Sequence, residues 1–315
     1  MVKQEKCAVI GCGFVGAEIT YTLMEDGIFS EIVMIDHDIA KAKGHEMDLN
    51  HGLPLMPPTK VYAGTYENLK DAGIIIITAG AGQKPGETRT DLVKKNVKIL
   101  KGIIDEIVQW NTEAILLLVA NPVDTLTYMA YKLSGYPKSR VIGSGTLLDT
   151  NRLKYMLGEH LGVDHKQVHA YVLGEHGDSE FPVFSSANIS GIRFADFIRQ
   201  TAPDFDISDL FSIYNEVRNS AYQVIQYKKA TYYAIAQAVQ RICETILADE
   251  HRILPVSTVL EGEYGLQDLC MSVPCIVGRN GIIQALEISL NGAEQEALEK
   301  SARAIQNTIA MADCK

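Results

Sequence analysis

Long hydrophobic runs are missing from this sequence of 315 residues. The longest runs, "GIIIITAG" and "AILLLVAN", fall well short of the roughly 20 residues that a membrane-spanning helix needs, and they are typical of buried strands. The N-terminus, "MVKQEKCAVIGCG", lacks the pattern of a secretory signal, because it passes directly into a strand and a glycine turn. The sequence therefore predicts a cytoplasmic protein that does not contact membranes.

Positive charge and paired cysteines are also scarce. Lys and Arg number 29 against 39 Asp and Glu, a net charge of −10 that disfavours binding to nucleic acid or anionic lipid. An anionic small substrate would therefore have to be bound by local cations. The six cysteines include no C-x-x-C pair and no metal-type spacing, so we expect free thiols and no metal site.

Internal repeats and flexible linkers are absent too, but the two halves of the chain differ in pattern. Short β-branched runs alternate with helical stretches as far as about Ser144, and the six runs are "KCAVIG", "EIVMID", "KVYAG", "GIIIITAG", "AILLLVAN" and "RVIGSG". Strands that are apolar along their whole length are covered by helices on both faces. We therefore predict an α/β protein with a Rossmann-type, doubly wound parallel six-stranded sheet in residues 1–145.

Residues 146–315 are expected to form a second, α+β domain that binds substrate. The segment 204–254 contains neither glycine nor proline and keeps an apolar helical period, which predicts one long or kinked helix. Alternating segments after it, "ILPVSTVLEGEYG" and "CMSVPCIVGRNGIIQALEISL", predict antiparallel strands. The chain ends in an amphipathic helix with Leu298, Ala302, Ile305 and Ile309 on one face.

A glycine-rich turn directly after the first strand predicts a dinucleotide site. "GCGFVG" places Gly11, Gly13 and Gly16 at the mouth of a helix, where bare backbone can approach a pyrophosphate. Asp36 ends the next strand, where a carboxylate accepts hydrogen bonds from a ribose diol and repels a 2′-phosphate. These features favour NAD over NADP, with FAD as a weaker alternative; Phe14 and Val15 complete the predicted cofactor contacts.

Three further segments carry residues suited to acid–base and anion chemistry. "AGAGQKPGETRTDLVKKN" has the composition of a mobile loop that would bring Gln83 and Arg89 over the ligand crevice. "LLDTNRLKYML" offers Asp149 and Arg152 on one face of a helix start, and arginine matches a carboxylate through two parallel hydrogen bonds. His176, in "YVLGEHGDSEF", could then deliver a proton, with Asp149 as the carboxylate that orients it.

Taken in order, these motifs resemble the lactate/malate dehydrogenase family over almost the whole chain. The matching segments are "GCGFVG", "MDLNHG", "AGQKPGETRTDLVKKN", "VANPVD", "GTLLDTNRL", "GEHGDSE" and "KKATYYAIA". The resemblance implies that His176 exchanges the proton, Asp149 is its partner and Arg152 binds the substrate carboxylate. It further implies that Arg89 polarises the ketone.

The same resemblance assigns three residues around the nicotinamide. It implies that Asn121 lies beside the catalytic histidine and the nicotinamide ribose, that Thr231 lines the substrate pocket, and that Ile235 backs the nicotinamide ring. Malate dehydrogenases of the family carry an arginine at the place of Gln83, and burying a second carboxylate without a cation would cost several kcal/mol. The neutral Gln83 therefore favours pyruvate and lactate, which would place the chain at the end of fermentative glycolysis.

Regulation and assembly follow only from the resemblance. Many bacterial members bind fructose 1,6-bisphosphate through an arginine and a histidine; this chain has Lys154 and His169 there, and a lysine meets a phosphate without arginine's fork. Activation by that sugar is therefore a hypothesis, and a homotetramer is expected. A malate or other L-2-hydroxy acid dehydrogenase, and a catalytically silent NAD-binding scaffold, are the alternatives.

Overall fold

The first half of the chain forms the parallel sheet that its apolar runs predict. A computed structural model describes residues 6–82, 86, 88–202 and 205–312. The strand order is β3-β2-β1-β4-β5-β6, with all neighbours parallel, so the strand order reverses between β1 and β4. The strands are β1 (Lys6–Ile10), β2 (Glu31–Ile35), β3 (Lys60–Ala63), β4 (Ile74–Ile77), β5 (Ile115–Leu118) and β6 (Val141–Gly143).

Helices cover both faces of this sheet, which explains why its strands are apolar throughout. Along β4, Ile74 and Ile76 enter one hydrophobic core, whereas Ile75 and Ile77 enter the other. Burying one such side chain fully contributes about 1.5 to 3 kcal/mol. The helices of this half are α1 (Phe14–Asp26), α2 (Ile39–Gly52), α3 (Arg89–Trp110) and α4 (Val123–Ser134).

The antiparallel strands predicted in the second half are present, and they extend the same sheet. β10 pairs with β11 and β11 with β12, while Ser257 of β10 pairs with Gly143 of β6, so the sheet has nine described strands. A separate three-stranded antiparallel sheet has the order β7-β8-β9. These strands are β7 (Val168–Leu173), β8 (Phe181–Ile189), β9 (Ile192–Arg193), β10 (Arg252–Glu261), β11 (Gln267–Gly278) and β12 (Gly281–Ala285).

The predicted α/β class is thus confirmed, with an addition that the sequence does not reveal. We predicted a sheet of six strands, and the antiparallel strands β10–β12 continue it beyond β6. The proposed division between residues 145 and 146 falls in the connection from β6 to α5 (Leu147–Leu161). It stays a prediction, because the sheet runs on across it.

Described residues 205–254 contain two separate helices, where one long or kinked helix was predicted. α7 (Ile207–Lys228) packs Ile213 and Val217 into a core beside the small sheet, whereas α8 (Tyr233–Ala248) packs Val239 and Ile242 against the large sheet. Because the two halves bury against different cores, the chain must turn between them. Lys229 caps α7 in the left-handed conformation, with a φ of 73°.

The last helix of the chain buries one apolar face in the core of the large sheet. Leu298, Ala302 and Ile305 are buried on one face of the last helix, as predicted, and Ile309 is partly buried there. No helix in the described part of the chain combines the length and the apolar character needed to cross a membrane. The remaining helices are α6 (Phe194–Thr201) and α9 (Gly292–Ala312).

Candidate active site

The glycine turn between β1 and α1 leaves room for a ligand at the helix N-terminus. Gly11 has a φ of +102°, and a Cβ there would lie 2.6 Å from the Ala79 nitrogen. A Cβ on Gly16 would lie 1.8 Å from the Gly11 oxygen, so neither position accepts a side chain. A Cβ on Gly13, by contrast, would meet no protein atom within 4 Å. Packing within the protein therefore does not require glycine at position 13, and the open space beside Gly13 is where a pyrophosphate would bind.

Asp36, at the end of β2, is fixed beside this turn. Its carboxylate accepts the backbone N–H groups of Cys12 at 2.6 Å and Asp38 at 2.9 Å. Burial would raise the pKa of Asp36, but these two hydrogen bonds and nearby positive charge together lower it, so the side chain is ionised at neutral pH. A cavity of about 550 Å³ runs past the carboxylate and is also lined by Gly11, Gly13 and Thr78.

Phe14 and Val15, the other predicted cofactor contacts, differ in their surroundings. Phe14 is 70% exposed, and its ring stacks on that of Tyr232 with the centroids 5.7 Å apart. Val15 is partly buried and packs against the core of the large sheet. The sequence gives no sign of the Phe14–Tyr232 contact, which joins the glycine turn to the turn between α7 and α8.

Asp149 connects two of the predicted site residues through one carboxylate. It lies in the first turn of α5, and its side chain is 3% exposed. One oxygen, Oδ2, is 2.6 Å from Nδ1 of His176, and the other, Oδ1, accepts Nη1 of Arg152 at 2.7 Å. The imidazole and the guanidinium are therefore held side by side, and the Nε2 atom of His176 is left for a ligand.

The charges in this group favour an imidazolium at neutral pH. Burial alone would lower the pKa of His176, but the charge and hydrogen bond of Asp149, with the charges of two further buried carboxylates, outweigh burial and raise it to about 9. Burial would likewise raise the pKa of Asp149, yet the positive charges of His176 and Arg152 hold it below its ordinary value. A protonated donor and an arginine cation then face the same cavity, which has a volume of about 370 Å³.

Arg89 and Asn121 line this second cavity as well. Arg89 is the first residue of α3, and its Nη2 atom lies 2.9 Å from Oε1 of Glu175. Its side chain remains 58% exposed, so it can turn from Glu175 towards a ligand in the cavity. Asn121 follows β5, and its backbone carbonyl accepts a hydrogen bond of 2.8 Å from Asn96.

Two predicted residues lie outside the described lining of this cavity, and a third is not among the described residues. Thr231 lies between α7 and α8 and is half-buried, outside the described lining of the cavity. Ile235, in the first turn of α8, packs against the core of the large sheet. Gln83, on which the choice of substrate depends, lies outside the described residues.

Lys154 and His169, the predicted allosteric pair, lie away from both cavities as far as their linings are described. Lys154 is half-buried on α5, and burial first and the charge of Arg252 second lower its pKa. His169 is exposed on β7, in register with Asn188 of β8. The approach of Arg252 to Lys154 adds a second cation that the sequence does not predict.

Buried carboxylates near His176 are the residues that sequence reasoning missed. Glu175 contacts Arg89, and Glu180 has an oxygen within 4.8 Å of ligand atoms of Asp149 and His176. Burial first, and the charge of Asp149 second, raise the pKa of Glu180 well above its ordinary value. Both residues flank the histidine in "GEHGDSE", so the signal was present, but an acid on a loop is more often solvated than buried.

Asp149, His176 and Glu180 are also close enough to share a cation. Their surroundings argue for a proton network instead, because Asp149 already accepts hydrogen bonds from an imidazole and a guanidinium. A metal ion there would have to displace the imidazole contact and lie beside the charge of Arg152.

A crevice at the reversal of strand order, lined by a glycine turn and a carboxylate, is typical of NAD-dependent enzymes. With a proton donor and an arginine clamp next to it, the fold and site together define a dehydrogenase that acts on small hydroxy acids. Comparisons with known families agree: residues 5–143 match the NAD-binding domain of lactate/malate dehydrogenases, and residues 146–313 match their alpha/beta C-terminal domain. The chain belongs to the lactate/malate dehydrogenase family.

Individual relatives are similar over the whole length. The chain is 51% identical to an L-lactate dehydrogenase of Acetivibrio thermocellus over 312 residues, which cover 98% of both chains. It is 50% identical to L-lactate dehydrogenase 1 of Clostridium acetobutylicum over 309 residues, 98% of this chain and 99% of that one. Among solved structures, a lactate dehydrogenase from a Medee basin deep-sea metagenome library superimposes with a TM-score of 0.96 at 42% identity, covering 99% of both chains.

Proposed function

We propose that this chain is an L-lactate dehydrogenase, which reduces pyruvate to (S)-lactate with NADH and catalyses the reverse reaction with NAD. One observation carries the proposal: Asp149 contacts the imidazole of His176 and the guanidinium of Arg152 at 2.6 Å and 2.7 Å. A 2-oxo acid has a carboxylate next to a ketone, so the carboxylate can bind the guanidinium while the ketone oxygen lies near the imidazolium. The curated relatives carry the same name.

The residues of the chain would divide the chemistry as follows. Arg152 binds the pyruvate carboxylate through its planar fork, which leaves the ketone oxygen near Nε2 of His176. The imidazolium donates its proton to that oxygen as negative charge develops there, and Asp149 stabilises the cation before transfer. Arg89 leaves Glu175 and polarises the ketone, while Asn121 hydrogen-bonds beside the histidine. When bound, NADH supplies the hydride for the carbonyl carbon.

The fit of NAD rests on the first cavity. The open space at Gly13 and the α1 N-terminus would take the pyrophosphate, and Asp36 would accept hydrogen bonds from the adenosine ribose. Ile235 would contact the nicotinamide, and Thr231 would contact the substrate. Thr231 lies outside the described lining of the second cavity, so the α7–α8 turn would have to move towards it.

The test of this function is NADH oxidation by the purified chain with a panel of 2-oxo acids. We expect kcat/KM to be highest for pyruvate and much lower for oxaloacetate. A preference for oxaloacetate would support the malate dehydrogenase alternative. Tight NADH binding without turnover of any 2-oxo acid would support the scaffold alternative.

Gln83→Arg should shift the substrate preference towards the diacid. The added guanidinium would pair with the second carboxylate of oxaloacetate, whose burial without a cation costs several kcal/mol. We expect the ratio of kcat/KM for oxaloacetate to that for pyruvate to rise about a hundredfold. Gln83→Leu, which adds no charge, is the matched control, and an equal rise in that variant would contradict the interpretation.

Pyruvate reduction should be lost as the pH rises through about 9. The proton donor is the imidazolium of His176, whose pKa is raised to about 9, so kcat/KM is expected to be constant below that pH and to fall above it. Lactate oxidation needs the neutral imidazole, so its kcat/KM should rise over the same interval. Parallel pH profiles in the two directions would contradict the assignment of His176.

Asp36→Asn should weaken the discrimination against NADPH. Asparagine retains an oxygen for the Cys12 N–H but removes the negative charge that repels a 2′-phosphate. Two charges about 4 Å apart near a protein surface interact by about 4 kcal/mol, so the preference for NADH should fall at least about tenfold. The ratio of kcat/KM for NADH to that for NADPH measures this, with Asp38→Asn as the control.

Assembly and regulation stay predictions. A homotetramer is expected from the family resemblance, and analytical ultracentrifugation would test it. Activation by fructose 1,6-bisphosphate would use Lys154 and His169, and the charge of Arg252 near Lys154 supports an anion site. Kinetics at limiting pyruvate that are indifferent to the sugar bisphosphate would rule it out. Cytoplasmic location and a role in fermentative glycolysis are likewise predictions.

A further inference from the structure

A second buried carboxylate contacts the backbone of His176. Asp124 lies in the first turn of α4 and is 2% exposed. Its Oδ2 atom accepts the His176 backbone N–H at 2.7 Å, and its Oδ1 atom accepts the hydroxyls of Ser257 at 2.6 Å and Ser272 at 3.2 Å. One side chain thus joins α4, the β10–β11 hairpin and the loop that carries the catalytic histidine.

The hydrogen-bond donors to this carboxylate are neutral, as far as the described residues show: one backbone N–H and two hydroxyls. A buried anion is costly without compensation, and the charge it can act on most directly is the imidazolium of His176. The reaction proposed above does not need Asp124 to orient the imidazole ring, because Asp149 already does so. A neutral asparagine could accept the same backbone N–H, so the hydrogen bond alone does not require a carboxylate.

We propose that Asp124 is a positioning residue of the active site, which fixes the backbone of His176 and, through its negative charge, stabilises the protonated imidazole. The proposal rests on the proposed function, because it concerns the proton donor of that reaction. Asp149 would then contact the imidazole ring itself. Asp124 would hold the backbone of the same residue and add a second negative charge near the ring.

The charges around the two groups agree with this role. The negative charges of Asp149, Glu180 and Asp124 all favour the protonated form of His176. Among the described residues, Glu175 and the thiol of Cys270 also act electrostatically on Asp124 or feel its charge. Burial raises the pKa of Asp124 to about 6, although hydrogen bonds from Ser257 and His176 oppose this. Asp124 is therefore ionised throughout the titration of His176, which is centred near 9.

The test compares the native chain with Asp124→Asn by NMR of protein labelled at the histidine Cε1 carbons. The spectrum of a His176→Asn variant identifies the His176 signal among the eight histidines. We expect the midpoint of the His176 titration to fall by about half a pH unit or more in Asp124→Asn. The alkaline limb of kcat/KM for pyruvate should move by the same amount. An unchanged midpoint in a folded variant that binds NADH would overturn the proposal and leave Asp124 a purely structural residue.

Ser257→Ala keeps the test decisive if Asp124→Asn does not fold. This variant retains the charge but removes one donor that favours the ionised carboxylate, so the pKa of Asp124 should rise. In the native chain the His176 signal should show a smaller second inflection near pH 6, and Ser257→Ala should move it to higher pH. An inflection that is absent or does not move would contradict the proposal. Because the titration needs no turnover, its outcome is separate from that of the pyruvate assay.

Discussion

His176→Asn is expected to lower kcat for pyruvate reduction about 10³-fold, because the ketone oxygen then has no general acid. NADH binding should be unchanged, since His176 lies at the second cavity and not at the glycine turn. Stopped-flow measurement of single turnovers would give the chemical rate, and quenching of protein fluorescence would give the Kd for NADH.

The control for this prediction is His160→Asn. His160 is exposed near the end of α5, where its Nδ1 atom lies 2.8 Å from the Met156 carbonyl oxygen, so its replacement should leave turnover unchanged. Pyruvate reduction within about tenfold of the native rate in His176→Asn would mean that another group donates the proton. Glu180 would then be the first candidate, because it lies beside Asp149 and His176 and burial raises its pKa.

Arg152→Lys should raise KM for pyruvate and lower kcat/KM by about a hundredfold to a thousandfold. Lysine retains the charge but cannot make two parallel hydrogen bonds to a carboxylate. It also loses the contact with Asp149, and disrupting a buried hydrogen-bonded charge pair costs about 2 to 5 kcal/mol. Initial rates over a wide range of pyruvate concentrations would separate KM from kcat.

The matched substitution is Arg303→Lys on α9, where the arginine is exposed and pairs with Glu299. Exposed ion pairs contribute about 0 to 1 kcal/mol, so this variant should keep native kinetics. Equal effects of the two substitutions would show that a general loss of arginine, and not the clamp, is responsible. A native KM in Arg152→Lys would remove Arg152 from substrate binding.

The parallel sheet could be predicted from the sequence because its strands are buried on both faces. Ile74 to Ile77 send alternate side chains into two cores, so the run is continuously apolar and stands out from the helices around it. The dinucleotide turn could also be predicted from the sequence. A Cβ at Gly11 or Gly16 would collide with backbone, so the turn needs glycine at both positions and the motif contains them. In each case one local segment carries the whole signal.

Features that depend on distant contacts could not be predicted in the same way. Asp124 meets His176 across 52 positions and Ser257 across 133, and nothing local to "VANPVD" says which donors its carboxylate will meet. The pairing of Ser257 with Gly143 extends the sheet through one residue pair, too little to leave a sequence pattern. The break between α7 and α8 arises because the two helices pack into different hydrophobic cores. A helical period of apolar residues does not show which core each part of the segment will enter.

In the proposed mechanism one carboxylate, Asp149, holds both the proton donor His176 and the substrate-binding Arg152 around a common ligand. A crystal structure of the chain with NADH and oxamate, an isostere of pyruvate, tests it directly. We expect the oxamate carboxylate on the guanidinium of Arg152 and its carbonyl oxygen within hydrogen-bond distance of Nε2 of His176. Oxamate bound away from both side chains, with the nicotinamide not facing His176, would contradict it.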